Sequence, residues 1–225
     1  MKLNKAKYNV GFDELKTIQQ SIAERVSVKD DFEKINKVAG CDQAFFDDSA
    51  VSAVVVCRFG SLEAIEKKYV IEKPAMPYVP GYLSFREGPP IMKAFKKLKH
   101  RPDMLLVDGN GVLHPRLAGL ASHVGVELDV PAIGVAKSLL LGDMKRGSIY
   151  VNGELRGRAF RTRKGCRPIY ISPGHRVSLE SSVRIVRSLL RGYKLPEPLR
   201  LAHNYANQIK REVMRYGNRP AGFPA

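Results

Sequence analysis

The chain is short of cysteine, of acidic residues and of long apolar runs, and each shortage excludes something. Its three cysteines, Cys41, Cys57 and Cys166, form neither an even framework nor a paired metal spacing. That excludes a disulfide scaffold and a cysteine-rich zinc motif, and it fits a reducing compartment. Two of the three stand in apolar runs, where cysteine behaves as a small core residue. No apolar run approaches the roughly 20 residues of a membrane span. The opening stretch MKLNKAKYNV has no apolar signal core, so no membrane partner is expected and a cytoplasmic location is. Internal repeats, low-complexity tracts and a phosphate-cradling P-loop are also missing. The shortage of acid says most. Thirty-eight Lys and Arg stand against twenty-two Asp and Glu, a formal net charge of +16 with a pI near 9.9. A polyanion is the expected partner, and nucleic acid fits best because neutralising phosphates releases counterions. A merely solubilising surface is the plain alternative.

What is present reads as one α/β unit. The 225 residues, 44% hydrophobic, can build a sizeable core, and we expect a single domain over 1–216 with a loose, Pro- and Gly-containing tail over 217–225. Phe12, Leu15, Ile18, Ile22 and Val26 recur at helical period and predict an amphipathic helix whose role is packing. Val38 to Cys41 and Val51 to Cys57 read as strands joined by turn chemistry at Phe46-Asp47-Asp48-Ser49, and Ala64 to Ile71 as an edge strand. Pro90 to Leu98 predicts a helix with proline in its first turn. Met104 to Val107 is a buried strand, Leu117 to Val126 a small-residue helix and Ala132 to Val135 a further strand. Helices alternating with strands imply a parallel half added to the antiparallel hairpins. The expectation is a mixed five-stranded sheet, order 3-2-1-4-5, flanked by helices, with additional strands and helices toward the C-terminus.

From Lys145 to Arg176 nine basic residues face a single acid, Glu154. Asn152-Gly153 is a hairpin signal inside that stretch, and Ile169 to Ile171 a strand with Ser172 to His175 as its exit loop. Ser178 is a candidate cap for a helix with Leu179, Val183, Val186 and Leu190 inward. A last helix starts near Pro198 and buries Ala202, Ala206 or Tyr205, Ile209 and Val213.

Three acids stand at predicted element ends: Asp42 after Val38 to Cys41, Glu87 before Gly88-Pro89-Pro90, and Asp108 between Met104 to Val107 and Gly109-Asn110-Gly111. Carboxylates that converge from separate elements suit a hard cation such as magnesium, whose charge offsets their repulsion. In order 3-2-1-4-5 the strands carrying Asp42 and Asp108 are neighbours. The alternative for any one of them is a turn former or helix cap.

Several segments, in order, resemble one family. They are Pro77-Tyr78-Val79-Pro80-Gly81, Ser84-Phe85-Arg86-Glu87-Gly88-Pro89, Val107-Asp108-Gly109-Asn110-Gly111, His114-Pro115-Arg116, Gly119 to His123, Ile133 to Ser138, Ser172 to His175 and Leu201-Ala202-His203. Together they are similar to endonuclease V, over roughly Val38 to Ala206. The resemblance implies a ribonuclease H-like fold and a magnesium-dependent nuclease, with manganese able to substitute. It implies recognition of deoxyinosine, the product of adenine deamination, and a cut at the second phosphodiester bond 3′ to it, leaving a 3′-hydroxyl and a 5′-phosphate.

By the same resemblance Asp42, Glu87, Asp108 and His203 hold metal, Lys137 steadies phosphate or developing charge, and His114 stands beside the metal with a catalytic role. Pro77, Tyr78, Val79 and Pro80 form a wedge that opens the base stack, and Gly81, Leu83, Gly109 and Gly134 line a pocket for the everted base. The structural alternatives are a helix-surface His203, a solvent-reaching Lys137, a loop His114 and a buried Tyr78. The segments depart from the family at Cys41-Asp42-Gln43-Ala44 and at Asn110, where glutamine is usual; both bear on pocket shape rather than on ligands. Expected partners are DNA containing deoxyinosine or RNA containing inosine, bound by a monomer. A non-catalytic basic binding module of the same fold is the reading from another class.

Overall fold

Strands β1 (Lys37–Phe46) and β2 (Ser49–Arg58) fold back on each other through Asp47 and Asp48, paired from Lys37↔Arg58 to Phe46↔Ser49. Asp47 takes a φ of +42°, the left-handed conformation that two-residue hairpins require and aspartate tolerates. This computed structural model describes residues 11–216, so the expected tail lies outside the described residues. β2 is buried from Ala50 to Cys57, as its unbroken apolar run predicts, and β3 (Ala64–Glu72) closes the edge as a half-exposed strand. β4 (Met104–Val107) lies parallel to β1, and β5 (Ala132–Ala136) parallel to β4. The 3-2-1-4-5 order of a ribonuclease H-like sheet is therefore present.

The sheet does not stop there. β9 (Ile169–His175) pairs antiparallel with β5, and β8 (Glu154–Phe160), β7 (Ser148–Val151) and β6 (Asp143–Lys145) follow, giving nine strands in one sheet. Ser172 to His175, expected as an exit loop, belongs to β9. Its pairing from Ala132↔His175 to Ala136↔Tyr170 supplies β5 with a second partner.

Strand alternation divides the core into two layers. Val38, Met104, Leu106 and Ile133 face helices α4 (Leu179–Ser188) and α5 (Glu197–Tyr216). Ala39, Cys41, Leu105 and Val107 face α2 (Leu83–Lys96) and α3 (Leu120–Leu128). Gly40 allows the closest approach, since a Cβ there would stand 2.3 Å from the carbonyl carbon of Pro198. α5 can therefore begin directly on β1.

Helix α1 (Phe12–Arg25) packs against α3. It buries Leu15 and Ile22 of the stripe its periodicity predicts, but not Ile18. Ile18 is 38% exposed, and Gln19 is fully buried in its place. α2 begins seven residues before the predicted Pro90 and carries Pro89 and Pro90 inside it. Its buried face, Ser84, Gly88, Ile91 and Phe95, runs at helical spacing through both prolines, so packing holds the helix across the lost N–H donors. α3 starts at Leu120 rather than Leu117, which sits at φ +57° and cannot continue a right-handed helix. In α4 the Ser178 cap is present, its side chain accepting from the Ser181 amide, but the inward residues are Ile185 and Val186, followed by Leu189. Leu179, Val183 and Leu190 are only half-buried.

Candidate active site

Asp42 is not at the end of its strand. It sits midway along β1, one residue beyond the last β1–β4 pair, Cys41↔Val107, and opposite Ala53 of β2. Because β4 stops there, the Asp108 amide donates back to the Cys41 carbonyl at 3.2 Å, and the two aspartates emerge side by side from neighbouring parallel strands. Gly40 and Asp42 share the face that α5 covers, and α5 brings His203 Nδ1 to 2.6 Å from Asp42 Oδ2. Lys137, one residue past β5, places Nζ against Asp108 Oδ2 and 3.7 Å from Asp42 Oδ2. Glu87 projects from α2, whose backbone is tied to β1 by Gln43 Nε2 donating to the Glu87 carbonyl at 2.7 Å. It lies within α2, not in a break before it.

The electrostatics of this cluster are lopsided. Burial, then the charges of Asp108 and Asp42, push the Glu87 carboxyl up to about 8. Burial, then Asp42, push Asp108 up to about 7, against the pull of Lys137. Asp42 goes the other way. Burial opposes its ionisation, but the His203 hydrogen bond, Lys137 and the Gln43 amide together hold it below the usual carboxylate range. His203 is raised by its bond to Asp42. Lys137 is raised as well: burial works against its charge, and Asp108 and Asp42 outweigh it.

Three carboxylates and an imidazole are the donors a divalent cation takes, and the two raised carboxyls mark negative charge that Lys137 and His203 leave uncompensated. The donor chemistry fits such an ion. Among the described residues, however, no three His, Cys, Asp or Glu side chains already enclose a metal position. Lys137 holds the two aspartates in the arrangement seen.

Next to the acids lies a pocket of about 220 Å³ with Tyr78, Pro80, Gly81 and Leu83 on its wall, together with Gly109, Asp108 and Lys137. Its volume suits one small ring system rather than a drug-sized ligand. Ser84 Oγ and Asn110 Oδ1, both of residues in that wall, are buried without a hydrogen-bond partner. Polar atoms left this way mark a place where a ligand can complete the bonding. Tyr78 is 64% exposed at the pocket rim, not buried.

Four expected site residues are placed otherwise. Gly134 lies behind the pocket, where a Cβ would meet the Gly111 amide nitrogen at 2.4 Å; its missing side chain lets the 109–111 loop lie on β5. Pro77 and Val79 belong to the Tyr78 loop but not to the pocket wall. His114, expected to act in catalysis, is a buried ring with both nitrogens engaged by backbone. Its Nε2 donates to the Gly81 carbonyl at 3.1 Å, and its Nδ1 accepts from the Arg116 amide at 3.2 Å. Burial pushes its pKa down to about 4, so it is a neutral brace.

Sequence reasoning passed over Gln19, whose Nε2 donates to the same Gly81 carbonyl at 2.8 Å. Its one signal was a polar residue placed four before Ala23 and three before Ile22 on the inward side of an otherwise apolar stripe. On the α4 side of the sheet, Arg146, Arg158, Arg184 and Arg187 line a groove of about 890 Å³ between β8 and α4. Two of the nine basic residues of the 145–176 stretch, Arg146 and Arg158, line it, with Glu180 as its one acid and none of Asp42, Glu87 or Asp108.

The sequence profile described as endonuclease V matches residues 20–204. The endonuclease V of Dictyoglomus thermophilum is 42% identical over 218 residues, covering 91% of this chain and 96% of the relative. The crystal structure of endonuclease V from Bacillus subtilis superposes with a TM-score of 0.85 at 32% identity, covering 96% of this chain and 99% of that one. Endonuclease V of Ciona intestinalis, solved in complex with a 24mer DNA containing an inosine followed by a ribo-adenosine, superposes with a TM-score of 0.82 at 27% identity, over 90% of this chain and 98% of that one.

Proposed function

Since this chain belongs to the endonuclease V family of nucleases, we propose that it nicks DNA at deoxyinosine, hydrolysing the second phosphodiester bond 3′ to the lesion and leaving a 3′-hydroxyl and a 5′-phosphate. The observation that carries this reading is the junction of two features: carboxyls raised to about 7 and about 8, and a ring-sized pocket that shares Asp108 and Lys137 with them. Asp42, Glu87, Asp108 and His203 are the residues that would hold a divalent ion, magnesium or manganese. Bound there, it would supply Lewis acidity toward a phosphoryl oxygen and a more acidic water.

The remaining roles belong to the chain's own side chains. Lys137 offers a mobile ammonium beside the acids, able to leave Asp108 for a phosphate oxygen as the backbone arrives. His203 orients Asp42 and keeps its carboxylate ionised. Tyr78, held out at the rim, enters the base stack at the place vacated by the everted nucleotide, while Gly81, Leu83 and Gly109 enclose the purine. Ser84 Oγ and Asn110 Oδ1 supply the polar partners that a hypoxanthine edge can meet and that its adenine counterpart meets differently. The arginine groove and the rest of the basic surface provide salt-sensitive affinity without reading sequence. The unit acts as one domain over 1–216 and as a monomer in the cytoplasm. Among the described residues no helix is long and apolar enough to cross a membrane.

Inosine in RNA is the second reading, favoured by one observation: the Ciona intestinalis relative was captured on a strand whose inosine is followed by a ribonucleotide. Labelled DNA and RNA strands, single and duplex, each with one inosine, distinguish these. With magnesium we expect a nick one nucleotide beyond the lesion's own 3′ linkage, abolished by chelator. Tight binding with no magnesium-dependent nick on either strand would overturn the nuclease reading in favour of a binding module.

A further inference from the structure

Residues 76–81 form a loop pinned at both ends and free in the middle. At one end Arg86 donates to the Met76 carbonyl at 2.8 Å while stacking 4.6 Å from the centre of the Phe45 ring. At the other, Val79 to Tyr82 is a tight turn closed by the Tyr82 amide on the Val79 carbonyl at 3.0 Å, with Pro80 second and Gly81 third at φ +80°. Those are the residues and the sign of φ that a type II turn asks for. Between the two anchors stands Tyr78, 64% exposed.

The turn end is held with unusual density. The Gly81 carbonyl accepts from Gln19 Nε2 at 2.8 Å, from His114 Nε2 at 3.1 Å and from an Arg116 terminal nitrogen at 3.0 Å. Gln19 also accepts, through Oε1, from Arg116 Nε. The Arg116 guanidinium lies 4.8 Å from the centre of the Tyr82 ring, which also neighbours Phe12 at 5.1 Å and Phe85 at 6.4 Å. Among the described residues Gln19 is therefore the side chain that bonds both the turn and the guanidinium bracing it, whereas His114 meets the turn and only the Arg116 amide. Gln19 comes from α1, which carries none of the site acids. A helix that needed only to pack would have an aliphatic residue at a position with no exposure.

We propose that Gln19 is a positioning residue for recognition: it fixes the Gly81 turn, and through it the orientation of Tyr78, before nucleic acid arrives. A loop already held in its working shape loses less conformational freedom on binding, which favours the strand that lets Tyr78 insert. The proposal rests on the reading of Tyr78 as the group that enters the base stack.

The test uses the full chain and oligonucleotides carrying one inosine or one adenine. Wild type, Gln19→Met, Gln19→Glu, Tyr78→Ala and the Gln19→Met/Tyr78→Ala double variant are compared for affinity in chelator, for KM and kcat with magnesium, and for thermal melting. Gln19→Glu keeps an acceptor for Arg116 and removes the donor to Gly81, so it carries the test if Gln19→Met does not fold. We expect either Gln19 variant to weaken inosine binding and raise KM about tenfold, the scale of one lost buried hydrogen bond, with a smaller change in kcat and in adenine-strand binding. In the Tyr78→Ala background the Gln19→Met loss should largely vanish, because both act through one contact. An equal loss in both backgrounds, or wild-type discrimination in Gln19→Glu, overturns the proposal while leaving the Tyr78 reading intact. Unchanged discrimination in Tyr78→Ala itself overturns both.

Discussion

Two carboxylates on the α2 side of the sheet, Glu66 on β3 and Glu87 in α2 itself, have been treated in opposite ways. Glu66, on β3, has a side chain only 8% exposed. It accepts from the Lys99 amide at 2.9 and 3.0 Å, the His100 amide at 2.8 Å and His100 Nδ1 at 3.0 Å. Burial opposes its charge, but those bonds outweigh it and hold the carboxyl below the usual range. Glu87 is given other carboxylates for neighbours and is pushed up to about 8. Glu66 fastens β3 to the chain that follows α2. Glu87 does no such fastening with its side chain. A carboxylate fully provided with donors stabilises the fold; one left in excess of local positive charge costs stability and marks a place where a cation or phosphate chemistry can act.

The sharpest way to break that contrast is to remove acids of the candidate site. Asp42→Ala or Asp108→Asn should lower nicking of an inosine strand on the order of 10³-fold or more. Affinity measured in chelator should be largely retained, because the basic surface supplies it. Wild-type cutting in either variant would remove these residues from the site. The converse is that Glu66→Ala should leave nicking unchanged and lose about 1 kcal/mol of stability, since the Lys99 and His100 amides lose their acceptor. Denaturant titration measures that directly. Its pH dependence has a definite sign: the Glu66 contribution is present above the ordinary carboxylate pKa of about 4.3 and is lost as pH falls through the lower folded value. A wild-type-minus-Glu66→Ala difference that grew on acidification would refute the assignment.

A subtler effect is expected of Glu87→Gln in chelator. Removing a charge that burial and two aspartates oppose should raise the melting temperature while nicking falls. A variant less stable than wild type would mean that the acid is as well provided for as Glu66. The smallest effect is predicted for His100→Ala, which strips one half-exposed contact from Glu66 and should cost about 0.5 kcal/mol or less.

The strand order 3-2-1-4-5 was readable because β2 and β4 are unbroken apolar runs and the turns between β1, β2 and β3 carry their own chemistry. The joining of β6 to β9 onto the same sheet was not, because it depends on which free edge a strand finds, and the β5 edge is defined only once β4 and β5 have paired. Helix starts were misplaced for a related reason. Pro89 and Pro90 argue locally for a boundary, yet a buried stripe from Ser84 to Phe95 carries α2 through them. In α1 periodicity favoured Ile18 over Gln19, and only the approach of the Gly81 turn makes the polar residue the buried one.

The sequence by itself determined the family, and offered the candidate acids, the Tyr78 segment and the excess of basic charge, since the segments that carry the family are contiguous. Only the tertiary structure decided that His203 bonds Asp42 across 161 positions, that Gln19 reaches Gly81 across 62, and that the His114 ring bonds the same Gly81 carbonyl. Such pairings are chosen by which polar groups are left without water when the layers close, and no local pattern encodes that choice.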